Sequence, residues 1–146
     1  MKIGLASDHR GYPLKEQLKE ELIKDNYEVI DYGTDTKEST DYPDYAFMLG
    51  KGIQNHDIDY GIAICGSGIG ISIACNKVKG VRCAKVDTIE EAIATRKDND
   101  SNIIAFGESM PFERALMLIE TFVNTEASNE EKHVRRRNKI KEYEER

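Results

Sequence analysis

Long hydrophobic runs are missing from this sequence of 146 residues. None approaches the roughly 20 consecutive apolar residues that a bilayer-crossing helix needs, which argues against a membrane protein. The opening residues, Met1-Lys2-Ile3-Gly4-Leu5-Ala6-Ser7-Asp8, turn polar too early for a secretory leader, so the expected compartment is the cytoplasm. Cysteine is scarce. Cys65, Cys75 and Cys83 are an odd set without the paired spacing of a zinc site, and they are expected to be reduced thiols, two of them core filler. Positive charge is not in excess either: 21 Lys and Arg against 27 Asp and Glu leave a net charge of -6. That balance argues against general nucleic-acid binding, although the C-terminal tail is locally basic. Internal repeats and low-complexity tracts are also lacking.

What is present suits one soluble domain, with 39% hydrophobic and 33% charged residues in a chain long enough to bury a core. Residues 3–6, 28–32, 60–65, 81–86 and 102–107 read as strands. Between them, Leu14, Leu18 and Leu22-Ile23 predict a helix opened by Pro13 and closed by Asn26-Tyr27. Residues 33–43 form a polar loop, and 45–53 a helix with Phe47, Leu49 and Ile53 as core contacts. Further helices are expected after the glycines to about residue 77, over 88–97 with Asp87 or Thr88 as cap, and over 111–123. Strands alternating with helices imply an open, doubly wound parallel sheet, whose ligands sit at the carboxyl ends of the strands. Asp8-His9, residues 65–70 and the loop near Asp98-Asn99 are expected at or near those ends, converging on one site.

The stretch with most chemistry is Tyr60-Gly61-Ile62-Ala63-Ile64-Cys65-Gly66-Ser67-Gly68-Ile69-Gly70. A buried strand, a tight turn and a helix start would expose backbone N–H groups, a cradle for a phosphate or for an oxyanion formed in a reaction. Cys65 at its lip is either an inert buried thiol or a base or nucleophile. The glycine spacing is neither the dinucleotide fingerprint nor a phosphate loop, which would end in Gly-Lys-Ser/Thr. His9 beside Asp8 is a candidate proton carrier or anion contact, whereas His56 reads as a solvated loop residue. Asp41-Tyr42-Pro43-Asp44 is at least a turn into a helix. Asn99 and Asn102 either cap the chain or bind sugar hydroxyls. Residues 127–146 carry Lys132, His133 and Arg135-Arg136-Arg137 but little to bury; they read as a charged tail or a helical arm.

Ser7-Asp8-His9-Arg10-Gly11, Val29-Ile30-Asp31-Tyr32-Gly33-Thr34, Asp41-Tyr42-Pro43-Asp44, Ile64-Cys65-Gly66-Ser67-Gly68-Ile69-Gly70-Ile71-Ser72, Ala74-Cys75-Asn76-Lys77-Val78 and Asn99-Asp100-Ser101-Asn102 stand in the order and spacing of type B ribose-5-phosphate isomerases. The chain resembles that family, which is grouped with the galactose-6-phosphate isomerase subunits, over nearly its whole length. The resemblance implies a Rossmann-like three-layer α/β/α fold with a five-stranded parallel sheet and a protruding C-terminal helix. Residues 1–126 would form the isomerase domain and 127–146 an arm packing on a partner subunit. It also implies a homodimer or dimer of dimers with the site between subunits, a small phosphorylated sugar as substrate, and no metal or organic cofactor. By the resemblance, Cys65 is the base of an aldose–ketose isomerisation through a cis-enediolate, assisted by Ser67 and by the backbone of Gly66, Gly68 and Gly70. Asp8 and Asn99 would hold sugar hydroxyls and Tyr42 would line the pocket. His9, Arg136, Lys132 and His133 would address the phosphate.

Two positions depart from the family pattern. The histidine that opens the furanose ring is replaced by Asp98, and an arginine that helps with phosphate is replaced by Ser109. A carboxyl group has a reference pKa near 3.9 and is a poor acid at neutral pH unless burial raises it. The expected substrate pair is ribose 5-phosphate and ribulose 5-phosphate. The alternatives are a galactose 6-phosphate type or a tetrose phosphate, which needs no ring opening, or a homologue that binds sugar phosphate without turnover.

Overall fold

The structure is a computed structural model that describes residues 1–146. Five strands alternate with helices along the chain: β1 (Lys2–Ser7), α1 (Tyr12–Lys24), β2 (Glu28–Asp31), α2 (Tyr42–Gln54), β3 (Tyr60–Cys65), α3 (Ile69–Cys75), β4 (Cys83–Lys85), α4 (Ile89–Asn99), β5 (Ile103–Gly107), α5 (Phe112–Val123) and α6 (Glu131–Glu144). All pairings are parallel, in the order β2-β1-β3-β5-β4. The register sets Leu5 beside Ile62 and Ile62 beside Ile104, so the middles of the three central strands are apolar, as strands covered on both faces must be. No helix is long and apolar enough to cross a membrane.

The alternation of side chains along each strand divides the core in two. Ile3, Leu5, Ile62, Ile64, Ile104 and Phe106 face the layer that holds α1, α4 and α5. Ala6, Ala63, Cys65, Ile103 and Ala105 face α2 and α3. This three-layer α/β/α sandwich is the architecture expected from the sequence.

Local chemistry sets the helix boundaries. Thr88 caps α4 by accepting the Glu91 N–H while Glu91 reaches back to the Thr88 N–H, a complete capping box. α2 begins at Tyr42, three residues before the expected start, because Pro43 in the first turn has no N–H to leave unpaired. Its inward face is Ala46, Leu49, Gly50 and Ile53, spaced i, i+3, i+4, i+7. Phe47, expected in the core, falls off that stripe and is 41% exposed, with Met48 beside it. Ile23 likewise points outward beside the buried Leu22. α6 buries no residue fully, and the segment before it is joined to the end of α4 by the Ser128 N–H donating to the Lys97 carbonyl at 2.9 Å.

Candidate active site

β1 leads into α1 on one face of the sheet and the adjacent β3 leads into α3 on the other. Neighbouring parallel strands whose helices depart to opposite faces leave a crevice at their carboxyl ends. Asp8, His9 and Arg10 line one side of it and Cys65 to Gly70 the other. Gly68 is left-handed, at φ 82°, and is the N-cap of α3. A Cβ there would stand 2.6 Å from the Phe106 carbonyl carbon, so only glycine lets the turn close against β5.

The Cys65 thiol sits inside that turn. Its Sγ accepts a hydrogen bond from the Gly68 N–H at 3.2 Å. In the single chain the residue is only 4% exposed, so a ligand can reach it only past the glycine turn. Ser67 is exposed, and its Oγ accepts the Ile69 N–H at 3.1 Å. The N–H groups of Gly70 and Ile71, at the start of α3, donate to no protein acceptor. The Tyr42 ring packs over the Gly70 Cα, where a Cβ would meet Cζ at 2.6 Å.

The opposite wall is held by a second turn. The buried Asp8 accepts the N–H groups of Arg10 and Gly11 on Oδ1, each at 3.0 Å, leaving its other oxygen uncommitted. The Thr40 N–H donates to His9 Nδ1 at 3.1 Å while the His9 N–H donates to Thr40 Oγ1 at 3.1 Å. With Nδ1 an acceptor, a neutral His9 carries its proton on Nε2. Sequence reasoning gave Arg10 no role, yet its guanidinium lies against Gly66 and its Nε is 2.5 Å from Glu108 Oε2. Both residues lie in loops with no periodic signal; only the adjacency of the two loops makes them visible. Ser109 borders a shallow cavity of about 220 Å³ beside Gly66 and Ser67, with Lys85 and Arg114 on its far side.

One expectation fails in the single chain. Asp98 and Asn99 close α4, which precedes β5, so they lie at the amino edge of the sheet and not at the carboxyl ends. A strand as long as β3 separates them from Cys65, about 20 Å at 3.3 Å per residue. The sequence places these residues near a strand, but the end on which they fall depends on where α4 stops. Arg96 pins that stop. It is 5% exposed, donates to the Asp100 carboxylate and the Ser101 carbonyl at 2.7 Å each and to the Thr125 carbonyl at 2.9 Å, and lies over the Tyr60 and Phe122 rings.

The basic residues of α6 gather at the same amino edge. His133 Nε2 is 3.4 Å from Asp98 Oδ1. Arg137 donates to the Lys97 and Asp98 carbonyls at 3.3 and 3.4 Å, and the Gly80 N–H donates to Glu144 at 3.0 Å, tying the arm to its own domain. Lys132 and Arg136 are exposed, as is Asn99, whose amide makes no hydrogen bond within the chain. Asn102 is structural, with its amide joined to the Arg82 N–H and the Gly80 carbonyl. The predicted site residues thus form two clusters at opposite edges of the sheet.

Of the other two thiols, expected as core filler, only Cys75 lies fully in the core, while Cys83 packs against it partly buried. Cys75 is wholly buried, and the neighbouring Cys83 together with burial pushes its thiol far up from the ordinary cysteine range. No cluster of three or more His, Cys, Asp or Glu side chains stands close enough to hold a metal ion.

This arrangement has well-matched counterparts. Ribose-5-phosphate isomerase B of Clostridium thermocellum superposes with a TM-score of 0.95 at 43% identity, covering 99% of this chain and 98% of that one. The Mycoplasma genitalium ribose-5-phosphate isomerase B, solved with bound ribulose-5-phosphate, gives 0.90 at 34% identity over 99% and 96% of the two chains. Ribose-5-phosphate isomerase B of Escherichia coli is 38% identical over 126 residues, 86% of this chain and 85% of its own. The family described as Ribose/Galactose Isomerase matches residues 3–140, and the chain belongs to that family.

Proposed function

We propose that this chain is an aldose–ketose isomerase of phosphorylated sugars, with ribose 5-phosphate and ribulose 5-phosphate as the leading pair. The observation that carries the reading is the Cys65 sulfur receiving the Gly68 N–H inside a turn that leads to the unpaired N–H groups of Gly70 and Ile71. Cys65 as thiolate takes the C2 proton of the open-chain aldose, and the electron pair moves through C1 to the carbonyl oxygen, giving a cis-enediolate. The proton returns to C1 as the C2–oxygen bond becomes the ketose carbonyl. Ser67 assists transfer between the two oxygens. Backbone donors of the 66–70 turn hold the developing charge, each typically worth about 3 kcal/mol in such sites. Asp8, through its free oxygen, and Asn99 hold sugar hydroxyls, while Tyr42 walls the pocket.

Two chains complete the site. Asp98, Asn99, Lys132, His133 and Arg136 reach a Cys65 crevice only if the amino edge of one chain meets the carboxyl edge of another. A two-fold dimer makes that contact twice. What supports it is the exposed apolar cluster of Tyr42, Phe47, Met48, Ile69 and Ile73 beside the crevice, and a groove of about 940 Å³ between α6 and the amino edge. α6 then serves as an arm against the partner. Ring opening falls to His133 oriented by Asp98, and phosphate to His9, Lys132 and Arg136.

Isomerisation of four-, five- and six-carbon sugar phosphates by the wild type and by Cys65→Ala tests the reading. Turnover should fall by at least 1,000-fold in the variant, with loss of solvent-hydrogen exchange at C2; full activity would remove Cys65 as the base. Asp98 in the ring-opening position favours a second reading, a tetrose phosphate or binding without turnover. Exclusive turnover of the four-carbon substrate, or saturable binding with no product and no exchange, would select it.

A further inference from the structure

A phosphorylated substrate needs fixed positive charge at the crevice, and the cations of α6 stand at the opposite edge of the same chain. Ser109, in the loop after β5, brings none. Lys85 and Arg114 line the cavity beside Gly66, Ser67 and Ser109, but the cation laid directly against the turn within one chain is Arg10. Its guanidinium lies on the bare Cα of Gly66: a Cβ there would meet Nη1 at 2.6 Å and Cζ at 2.8 Å. Glycine at 66 therefore makes room for this group as well as for the turn. The Nε is held by Glu108 at 2.5 Å, which fixes the plane of the guanidinium across the end of β3.

We infer that Arg10 is a phosphate-binding residue of this site, and that Glu108 is the positioning residue that aims it. A guanidinium has five N–H donors in a planar fork suited to phosphate oxygens. Glu108 engages the Nε side and leaves the four donors of the two terminal nitrogens. His9, the preceding residue, offers its Nε2–H from the same loop, because Nδ1 is occupied by the Thr40 N–H. The two side chains present donors from adjacent positions at the mouth of one crevice. The ion pair itself adds little to stability, since Arg10 is 59% and Glu108 37% exposed and solvent screens both charges. Its consequence is orientation. The charge that Ser109 does not supply from the β5–α5 loop is thus supplied from the β1–α1 loop across the same strand end.

The inference rests on the isomerase reading for the identity of the ligand, so the test uses two probes on the full-length protein. One is inorganic phosphate, by calorimetric titration; the other is steady-state isomerisation of ribose 5-phosphate. Arg10→Gln should weaken phosphate binding at least tenfold, equal to 1.4 kcal/mol, and raise KM by a similar factor with kcat within threefold and Tm unchanged. Arg10→Lys, a point charge without the fork, should recover part of the loss, and Ser109→Arg in the Arg10→Gln background should recover more. Glu108→Ala should raise KM and weaken phosphate binding severalfold, and Glu108→Gln, whose amide oxygen still accepts from Nε, should recover most of it; no change in Glu108→Ala overturns the positioning role. Unchanged phosphate affinity and KM in Arg10→Gln overturns the inference, as does a loss that only tracks a lower Tm. A wild type that isomerises while Arg10→Gln is silent sinks Arg10 and leaves the isomerase. A wild type that binds phosphate, loses it with Arg10→Gln and turns over no sugar does the reverse. No phosphate or sugar-phosphate binding by the wild type sinks the inference too.

Discussion

Gly68→Ala is the most informative single change, because backbone strain and steric clash can be separated by a control within the same chain. Gly68 has φ 82° and an added Cβ would lie 2.6 Å from the Phe106 carbonyl carbon and 2.8 Å from its Cα. Those atoms belong to a central strand hydrogen-bonded on both sides, so the contact cannot relax by a rotamer change. Left-handed backbone costs a non-glycine residue about 1–2 kcal/mol, overpacking about 1–3 kcal/mol, and the stiffer unfolded chain returns about 0.4–1 kcal/mol. The net loss is about 2–4 kcal/mol. Gly80 has φ 88° with nothing within 4 Å of an added Cβ, so Gly80→Ala should lose about 1 kcal/mol, the backbone cost alone. Urea denaturation at one fixed protein concentration reads both. With a slope of about 1–3 kcal/mol per molar, the Gly68→Ala midpoint should fall by roughly 1–2 M. It should also lose the hydrogen bond to Cys65, and with it turnover. Equal midpoints for the two variants would refute the claim that the turn is pressed against β5.

Mixing purified Cys65→Ala and Asn99→Ala, each inactive alone, should restore about a quarter of wild-type activity after subunit exchange. Half of the dimers are then mixed and each has one intact site; no recovery would mean that both residues serve the same chain's site. Asp31 should stabilise the fold in a pH-dependent way. Burial opposes its ionisation, but hydrogen bonds from Lys15, the Gly33 N–H and Lys19 outweigh that and hold the carboxyl below its usual 3.8. The contribution is present above that value and lost as pH falls through the lower folded pKa. Because Lys15 is wholly buried, Asp31→Asn should cost about 2–4 kcal/mol at pH 7 and flatten the acid limb of a stability–pH curve. Arg96→Ala should cost about 2–3 kcal/mol by stranding the Ser101 and Thr125 carbonyls, and it should loosen the 98–101 segment in hydrogen exchange.

The layer architecture was legible in the chain because it follows from periodicity. Continuous apolar strands alternating with amphipathic helices admit a parallel sheet covered on both faces and little else. The Cys65 to Gly70 turn was legible for the same reason: glycines at every second position between an apolar strand and a helix start have few other uses. Phe47 lies outside the core because the buried stripe of α2 runs through Ala46, Leu49, Gly50 and Ile53. Long-range placement was not encoded in any local pattern. Asp98 and Asn99 sit at the amino edge because Arg96 ends α4 through contacts with Tyr60, Ser101 and Thr125, partners that only the folded chain assembles. Arg10 meets Glu108 and Gly66 because β1, β3 and β5 are neighbours in the sheet. Sequence fixes which groups a segment carries, through local sterics and hydrophobic spacing. Which edge those groups reach, and what stands across from them, is decided by strand order, since that is set by the packing of the whole core.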